Sequence, residues 1–282
     1  MDSLKLAAGI VLYQNNLELL KKCLVGLKNQ IFNFLKVEIE IGIIDNTEGS
    51  QIEAVQLMAQ SIDLPIKIAI SSPNIGFGAG HNKLFQEWGI SSDYYLCVNP
   101  DGIPHYQLAE RLIQFAQGNK DQGIFEARQF PTEHPKIYDI QRLTTDWCSG
   151  CCLLIPRSIY QETRGFDEDL FLYCEDVDLS WRVQLAGYNC FTVSNALFHH
   201  YVYGVERDFS NQKKQMAISM YKLAVKYGHQ EAINKNRSVL NQSIQGEDLK
   251  KVLNFKPAQI PPSVLPNFIK FDHAASYAET RW

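Results

Sequence analysis

Hydrophobic and polar positions change period repeatedly along the first hundred residues. Leu6 to Tyr13 is a short, continuous apolar run, the pattern of a strand buried on both faces. Asn15 or Asn16 then offers an N-cap, and Leu17, Leu20, Leu24, Leu27 and Ile31 recur at helical spacing. Val37 to Ile44 is rich in β-branched residues and runs into Asp45-Asn46, predicting a second strand that ends in a turn. A weaker helix is predicted over Ile52 to Ile62 and a third strand over Ile66 to Ile70. The glycine-rich stretch Pro73 to Gly80 opens a helix that stops near Trp88-Gly89. Tyr94 to Val98 is a fourth strand, halted by Asn99-Pro100-Asp101-Gly102. Alternating strands and helices predict a mostly parallel sheet covered on both faces. In such sheets ligands sit outside the carboxyl ends of the strands. Those ends carry Tyr13, Asp45-Asn46, Pro73-Asn74 and Asn99 to Asp101.

The pattern loosens after about residue 120. Gly123 to Ala127 and Cys148 to Ile155 read as strands, and Pro156-Arg157-Ser158 turns the chain into a short helix. Asp176 to Ala186 is predicted as a helix stopped by Gly187, with acidic residues in its first turn, where they suit the helix dipole. Cys190 to Val193 is a strand leading to His199-His200. From Glu206 to Tyr227 a helix places Met216, Met220, Leu223 and Ala224 on one face. Its Lys213, Lys214, Lys222 and Lys226 are compatible with contact to anionic lipid, but a packed helix with a solvated basic face is the preferred reading. The tail from Pro257 is Pro-rich and then aromatic.

One segment departs from both periods. Between Asp167 and Asp178, six carboxylates fall within twelve residues, interleaved with Leu170, Phe171, Leu172, Tyr173 and Val177. The aromatics demand burial, so some carboxylates must lie close to a protein interior, where their pKa values rise and they can act as bases near neutral pH. The aromatic stretch before Asp176 reads as a buried strand leading into a helix start. Glu175 is expected to point elsewhere.

Composition narrows the classes. A net charge of −4 over 282 residues gives no basic field for nucleic acid. No apolar run reaches the roughly 20 residues that span a bilayer. Met1-Asp2-Ser3-Leu4-Lys5 lacks the basic start and cleavage site of a signal peptide. With seven scattered Cys, the expectation is a cytoplasmic protein with reduced thiols.

Candidate chemistry outside the acidic segment is weaker motif by motif. Asp101, at a strand's carboxyl end in a Pro-fixed turn, suits a divalent cation, although Asn-Pro-Asp-Gly is also an ordinary turn sequence. Asp45 suits a ribose or base, or equally a turn. Gly76, Gly78 and Gly80 allow close approach to a ligand, but their G-x-G-x-G spacing follows the third strand and fits a dinucleotide loop poorly. Cys148-Ser149-Gly150-Cys151-Cys152 has no second Cys pair at zinc spacing and reads as buried strand cysteines, with Gly150 open to a substrate. Of His199 and His200, at most one can face a site, because neighbours in a strand point to opposite faces.

In order along the chain, Val11-Leu12-Tyr13, Ile44-Asp45-Asn46, Asn74-Ile75-Gly76-Phe77-Gly78, Asn99-Pro100-Asp101, Gly150 with Leu153 to Arg157, and Gly165-Phe166-Asp167-Glu168 through Glu175-Asp176-Val177-Asp178-Leu179-Ser180-Trp181-Arg182 resemble family 2 glycosyltransferases, most of all bacterial rhamnosyltransferase-like members. The resemblance covers roughly residues 5 to 205. It implies a GT-A fold, a Rossmann-like, mostly parallel sheet flanked by helices. A nucleotide-binding half (1–103) would join an acceptor-binding half (104–205), followed by a helical extension and tail (206–282). It implies inverting, metal-dependent transfer of a sugar, such as rhamnose, from a nucleotide diphosphate donor to a saccharide or lipid-linked saccharide in surface polysaccharide synthesis. By this resemblance Tyr13, Asp45 and Asn74 lie along the nucleoside, and Gly76, Asn99 and Gly150 border the donor. Asp101 and His200 hold Mg2+ or Mn2+, with His199 the fallback for His200, and Asp176 is the catalytic base. Arg182 meets the diphosphate or bonds an acid of its own segment. Asn99 stands where the family's Asp-x-Asp has its first acid, which puts tight metal binding without donor in question. A homodimer and peripheral contact at the inner face of the cytoplasmic membrane complete the expected partners. The competing readings are a degenerate nucleotide-sugar-binding protein and a nicotinamide-dependent oxidoreductase.

Overall fold

A computed structural model describes residues 3–201, 209–257 and 265–271. Its strands are β1 (Leu4–Leu12), β2 (Val37–Asp45), β3 (Lys67–Ile70), β4 (Tyr94–Val98), β5 (Gly102–Pro104), β6 (Gly123–Phe130), β7 (Cys152–Pro156) and β8 (Asn189–His200). The helices are α1 (Leu17–Lys28), α2 (Ile52–Ser61), α3 (Phe77–Glu87), α4 (Leu108–Gly118), α5 (Arg157–Thr163), α6 (Glu175–Leu185), α7 (Phe209–Lys226), α8 (Gln230–Ser243) and α9 (Gly246–Leu253).

All eight strands form one sheet in the order β3-β2-β1-β4-β7-β6-β8-β5. β3, β2, β1 and β4 run parallel, so the carboxyl ends of the first four strands share one edge. Beyond β4 the sheet is mixed: β7 is antiparallel to β4 and β6, β6 is parallel to β8, and β5 is antiparallel to β8. The expected boundary at 103/104 falls inside β5, whose partner β8 belongs to the second half. Helices cover both faces. Leu20 and Leu24 of α1 pack with Leu108 and Leu112 of α4 on one side. Leu84 and Phe85 of α3, Tyr160 of α5 and Leu179 of α6 pack on the other. Trp181 of α6 then joins Leu223 and Tyr227 near the end of α7, which attaches the C-terminal helices to the sheet domain.

Local chemistry explains several boundaries. Asn16, not Asn15, caps α1: its side chain accepts the Glu18 and Leu19 amides at 2.9 and 3.2 Å. Asn15 instead turns back to accept the Tyr13 amide at 2.7 Å. α1 ends at Lys28, three residues short of Ile31.

The aromatic stretch before Asp176 is a correction to the sequence reading. Leu170 to Tyr173 is not a strand; it is irregular and bends at Leu172 and Tyr173, and Tyr173 and Cys174 both take left-handed backbone (φ 69° and 65°). Residues 148–151 likewise stay out of β7 and cross its end as a strap. The predicted helix from Glu206 appears as Phe209–Lys226, with 206–208 and the 205/206 boundary outside the described residues. Its basic face is not wholly solvated. Lys226 is buried, and Lys222 is half-buried and donates to the Asp169 carbonyl at 2.7 Å.

Candidate active site

The shared carboxyl edge opens a cleft of about 610 Å³. Tyr13, Asn46, Asn74, Gly76, Asn99, Asp101 and His200 line it, with Phe171, Leu172 and Tyr173 as the facing wall. Gly76 (φ 89°) is required there: a Cβ would stand 2.2 Å from the Phe171 carbonyl oxygen. The Asn74 side chain accepts the Gly76 amide at 2.8 Å and fixes the turn. Asp45 does not line the cleft. It is 1 % exposed, and its carboxylate accepts the Thr47 and Gln51 amides at 2.8 and 3.0 Å and the Thr47 hydroxyl. Its observed work is the turn, and the next residue, Asn46, takes the place beside the cleft. The Asn46 amide nitrogen donates to the Gly76 carbonyl at 3.0 Å, and its buried Oδ1 has no hydrogen-bond partner among the described residues.

β5 and β8 bring the cation candidates together. Gly102 pairs with His200, which sets the Asn99–Asp101 turn against the end of β8. His200 is buried, and its Nε2 lies 3.4 Å from Asp101 Oδ1 and 3.5 Å from the Asn99 side-chain amide. On its far side, Nδ1 lies 3.0 Å from Gln129 Oε1. Donation from Nδ1 to that oxygen leaves the Nε2 lone pair turned toward a carboxylate oxygen. Two facing acceptors of this kind suit a shared cation, with Gln129 orienting the ring as outer partners of metal-bound imidazoles do. The Asn99 amide can present its oxygen after a flip. The residues therefore fit a divalent ion through two ligands and an amide, with substrate oxygens to complete the shell. Three His, Cys, Asp or Glu side chains do not converge in this way anywhere among the described residues. His199 points away, its ring 5.1 Å from that of Phe130. Gln129 escaped the sequence reading because the strand around it continues beyond the apolar run that announced it.

Asp176 opens α6 beside a second, smaller pocket of about 180 Å³. Phe77, Asn99, Leu172 and Tyr173 line both cavities, so the two adjoin. Asp176 Oδ2 accepts the Gly150 amide at 2.9 Å and Oδ1 accepts the Val177 amide at 2.8 Å. Gly150 thus meets the proposed base directly, and a Cβ there would press on Phe77 at 3.1 Å. Burial pushes the Asp176 carboxyl above its ordinary value, against the opposing pull of the Gly150 and Val177 amides and the charge of Lys136. Burial, aided by the adjacent Asp176 charge, pushes Glu175 well above the usual carboxylate range. One Glu175 oxygen is buried without a hydrogen-bond partner among the described residues.

Arg182 turns away from the cleft. It donates to Asp178 at 2.7 Å and to the Thr163 and Gly165 carbonyls at 2.6 and 2.7 Å, which engages all three guanidinium nitrogens. Of the two roles expected for it, the bond within its own segment is the one observed. All seven cysteines are free and buried.

A single continuous sheet, parallel in its first half and mixed in its second, with a cleft along the carboxyl edge, defines a GT-A glycosyltransferase fold. Among solved structures, 88 % of the chain superposes on 78 % of the mannosyltransferase PcManGT from Pyrobaculum calidifontis in complex with GDP-Man and Mn2+ (TM-score 0.63, 14 % identity). It also covers 50 % of S. aureus TarS (TM-score 0.56, 13 % identity, 88 % of this chain). In sequence it is similar to rhamnosyltransferase WbbL of Escherichia coli K12, 26 % identical over an alignment of 169 residues that covers 47 % of this chain and 64 % of the relative. A Mycobacterium tuberculosis N-acetylglucosaminyl-diphospho-decaprenol L-rhamnosyltransferase is 43 % identical over 63 residues, 22 % of this chain and 20 % of the relative. The chain spans less than two thirds of the length of these curated relatives. No family model matches it. The solved structures share the fold, and the sequence likeness to rhamnosyltransferases extends over part of the chain.

Proposed function

We propose that this chain is an inverting glycosyltransferase that moves a deoxyhexose such as rhamnose from a nucleotide diphosphate donor to a lipid-linked saccharide in surface polysaccharide synthesis. The observation that carries the reading is the pair of adjoining pockets, one with Asp101 and His200 at 3.4 Å and the other with Asp176 at its rim. Donor and acceptor need separate compartments that meet where the bond is exchanged, and Phe77, Asn99, Leu172 and Tyr173 form such a shared wall.

In this reading Tyr13, Asn46, Asn74 and Gly76 border the nucleoside, and Asp45 holds the turn that presents Asn46. Asp101 and His200, with Asn99, would hold the divalent ion, which when bound stabilises negative charge on the departing diphosphate. Asp176 takes the proton of the acceptor hydroxyl as that oxygen attacks the anomeric carbon from the face opposite the diphosphate. Such proton transfer contributes about 10²- to 10⁴-fold. Its raised pKa keeps Asp176 basic enough for the work, while the Gly150 amide holds the ionised oxygen in place. The lipid-linked acceptor follows the name of the mycobacterial relative. A peripheral position at the inner face of the cytoplasmic membrane goes with that acceptor, and no helix among the described residues is long and apolar enough to cross a membrane.

Thermal unfolding with dTDP, UDP and GDP, each with and without Mn2+, tests the reading. One nucleotide is expected to raise Tm, with a further rise in Mn2+ that Asp101→Ala removes. No response to any nucleotide would contradict it. Release of sugar from dTDP-rhamnose by the purified protein separates a transferase from a degenerate binder.

A further inference from the structure

One buried ion pair lies behind the site with no ligand of its own. Glu126 sits on β6 and Lys136 in the loop that follows, with side chains 4 % and 3 % exposed and 2.6 Å between Nζ and Oε2. A buried pair of charges loses much hydration and is often no more stable than an apolar replacement, so its location asks for another explanation. Both partners reach the same short strap, residues 147–150. Lys136 Nζ donates to the Trp147 carbonyl at 2.5 Å and stands 4.3 Å from the centroid of the Trp147 ring. Glu126 Oε2 accepts the Ser149 amide at 2.5 Å, while Oε1 accepts the Thr192 hydroxyl. Between these, the Cys148 amide donates to Ser180 Oγ at 2.9 Å, and that hydroxyl donates to the Asp176 carbonyl at 2.7 Å. The strap ends at the Gly150 amide, bonded to the Asp176 carboxylate.

We infer that Lys136 and Glu126 are positioning residues for Asp176: the pair fixes the 147–150 strap, and the strap fixes the carboxylate. The inference rests on the reading of Asp176 as the base. Glu126 Oε2 and Lys136 Nζ each bond both one another and the strap, so a shift of the pair moves the strap's Gly150 amide, and with it the oxygen that receives the proton. Lys136 also supplies the positive charge that offsets the burial of Asp176. The other titratable groups around Asp176 are Glu175 and Cys174 on its own segment, Cys97 on β4, Cys151 just before β7 and His134 across the pocket. Burial pushes the three thiols up, so they stay neutral.

The test compares wild type, Lys136→Met and the double variant Lys136→Met/Glu126→Gln, which removes both charges together and leaves none buried alone. The reaction followed is rhamnose transfer from dTDP-rhamnose to an N-acetylglucosaminyl diphosphate lipid. Both variants are expected to lose at least ~10-fold in kcat, as small misplacements of a catalytic group do, while dTDP affinity stays within ~3-fold. In Lys136→Met the acidic limb of kcat/KM should move up, because a favourable charge has gone while that of Glu126 remains. A folded double variant with wild-type kcat would overturn the inference even if Lys136→Met fails to fold. Asp176→Asn, run beside them, separates the two readings: full activity there refutes the base assignment, whereas loss of activity there with unaffected Lys136 variants refutes only the positioning pair.

Discussion

Glu175 and Asp176 are neighbours with different surroundings, and the difference is what the acidic run hides. Both line the smaller pocket, but Asp176 receives two amide hydrogen bonds, whereas Glu175 is buried with one oxygen unpaired among the described residues. A carboxyl whose folded pKa is raised is most favourable to stability below its unfolded pKa. That contribution is lost as pH rises toward the folded value. Glu175→Gln should therefore stabilise the protein increasingly as pH climbs from about 4.5. Urea unfolding of both proteins at pH 4, 6 and 8 checks the sign, and a gap that narrows with pH would contradict it. Neither environment was legible from the sequence. The run Glu175-Asp176-Val177-Asp178 shows charge, but which acid meets Gly150, which meets Arg182 and which is buried unpaired depends on the rotation of α6.

At the scale of elements, the first four strands and the helices between them were readable because their apolar periods are clean and their turns carry Asn, Asp, Gly and Pro. β4 was bounded to the residue. β5 and α4 were not anticipated: a three-residue strand carries no period, and the turn before it masks the apolar stripe of Leu108, Leu112 and Ala116. Asp101 and His200 both stood out in the sequence, but the register that brings them to 3.4 Å, Gly102 opposite His200, is set by that unread strand. Gly76 shows the reverse case, a visible glycine whose reason is tertiary. Gly76→Ala forces a Cβ against the Phe171 carbonyl at positive φ, and a strained position of this kind costs about 1–3 kcal/mol. The loss is expected in urea unfolding together with weaker nucleotide binding, since Phe171 to Tyr173 wall the cleft. Unchanged binding would show that the loop and the cleft are independent.

Across the whole molecule, the C-terminal helices hold the acidic segment in place. Lys226 on α7 reaches Asp178 at 2.7 Å and also bonds Asp167, while Tyr227 donates to Asp178 at 3.1 Å. Ser219 donates to the Leu172 carbonyl at 2.7 Å. The sequence showed the lysines of α7 without their direction, and the burial of Lys226 follows from the acids it faces. Burial pulls the Asp167 carboxyl up, but the bond and charge of Lys226 outweigh it and hold the pKa below the ordinary value. The stability this provides is present above the unfolded pKa and fades as acid protonates the folded group. Lys226→Met leaves the buried Asp178 with Arg182 as its only cation and should cost about 3 kcal/mol in urea unfolding near neutral pH, less in acid. An equal loss at every pH would argue that packing, not charge, joins α7 to the sheet domain.

The central claim is that Asp176 takes the acceptor's proton in one pocket while the donor is held in the next. It is tested most directly by Asp176→Asn, an isosteric change that keeps an oxygen for the Gly150 amide and removes the base. Transfer from dTDP-rhamnose is expected to fall by at least ~10²-fold, with dTDP binding in Mn2+ unchanged. Undiminished transfer by Asp176→Asn would contradict the account.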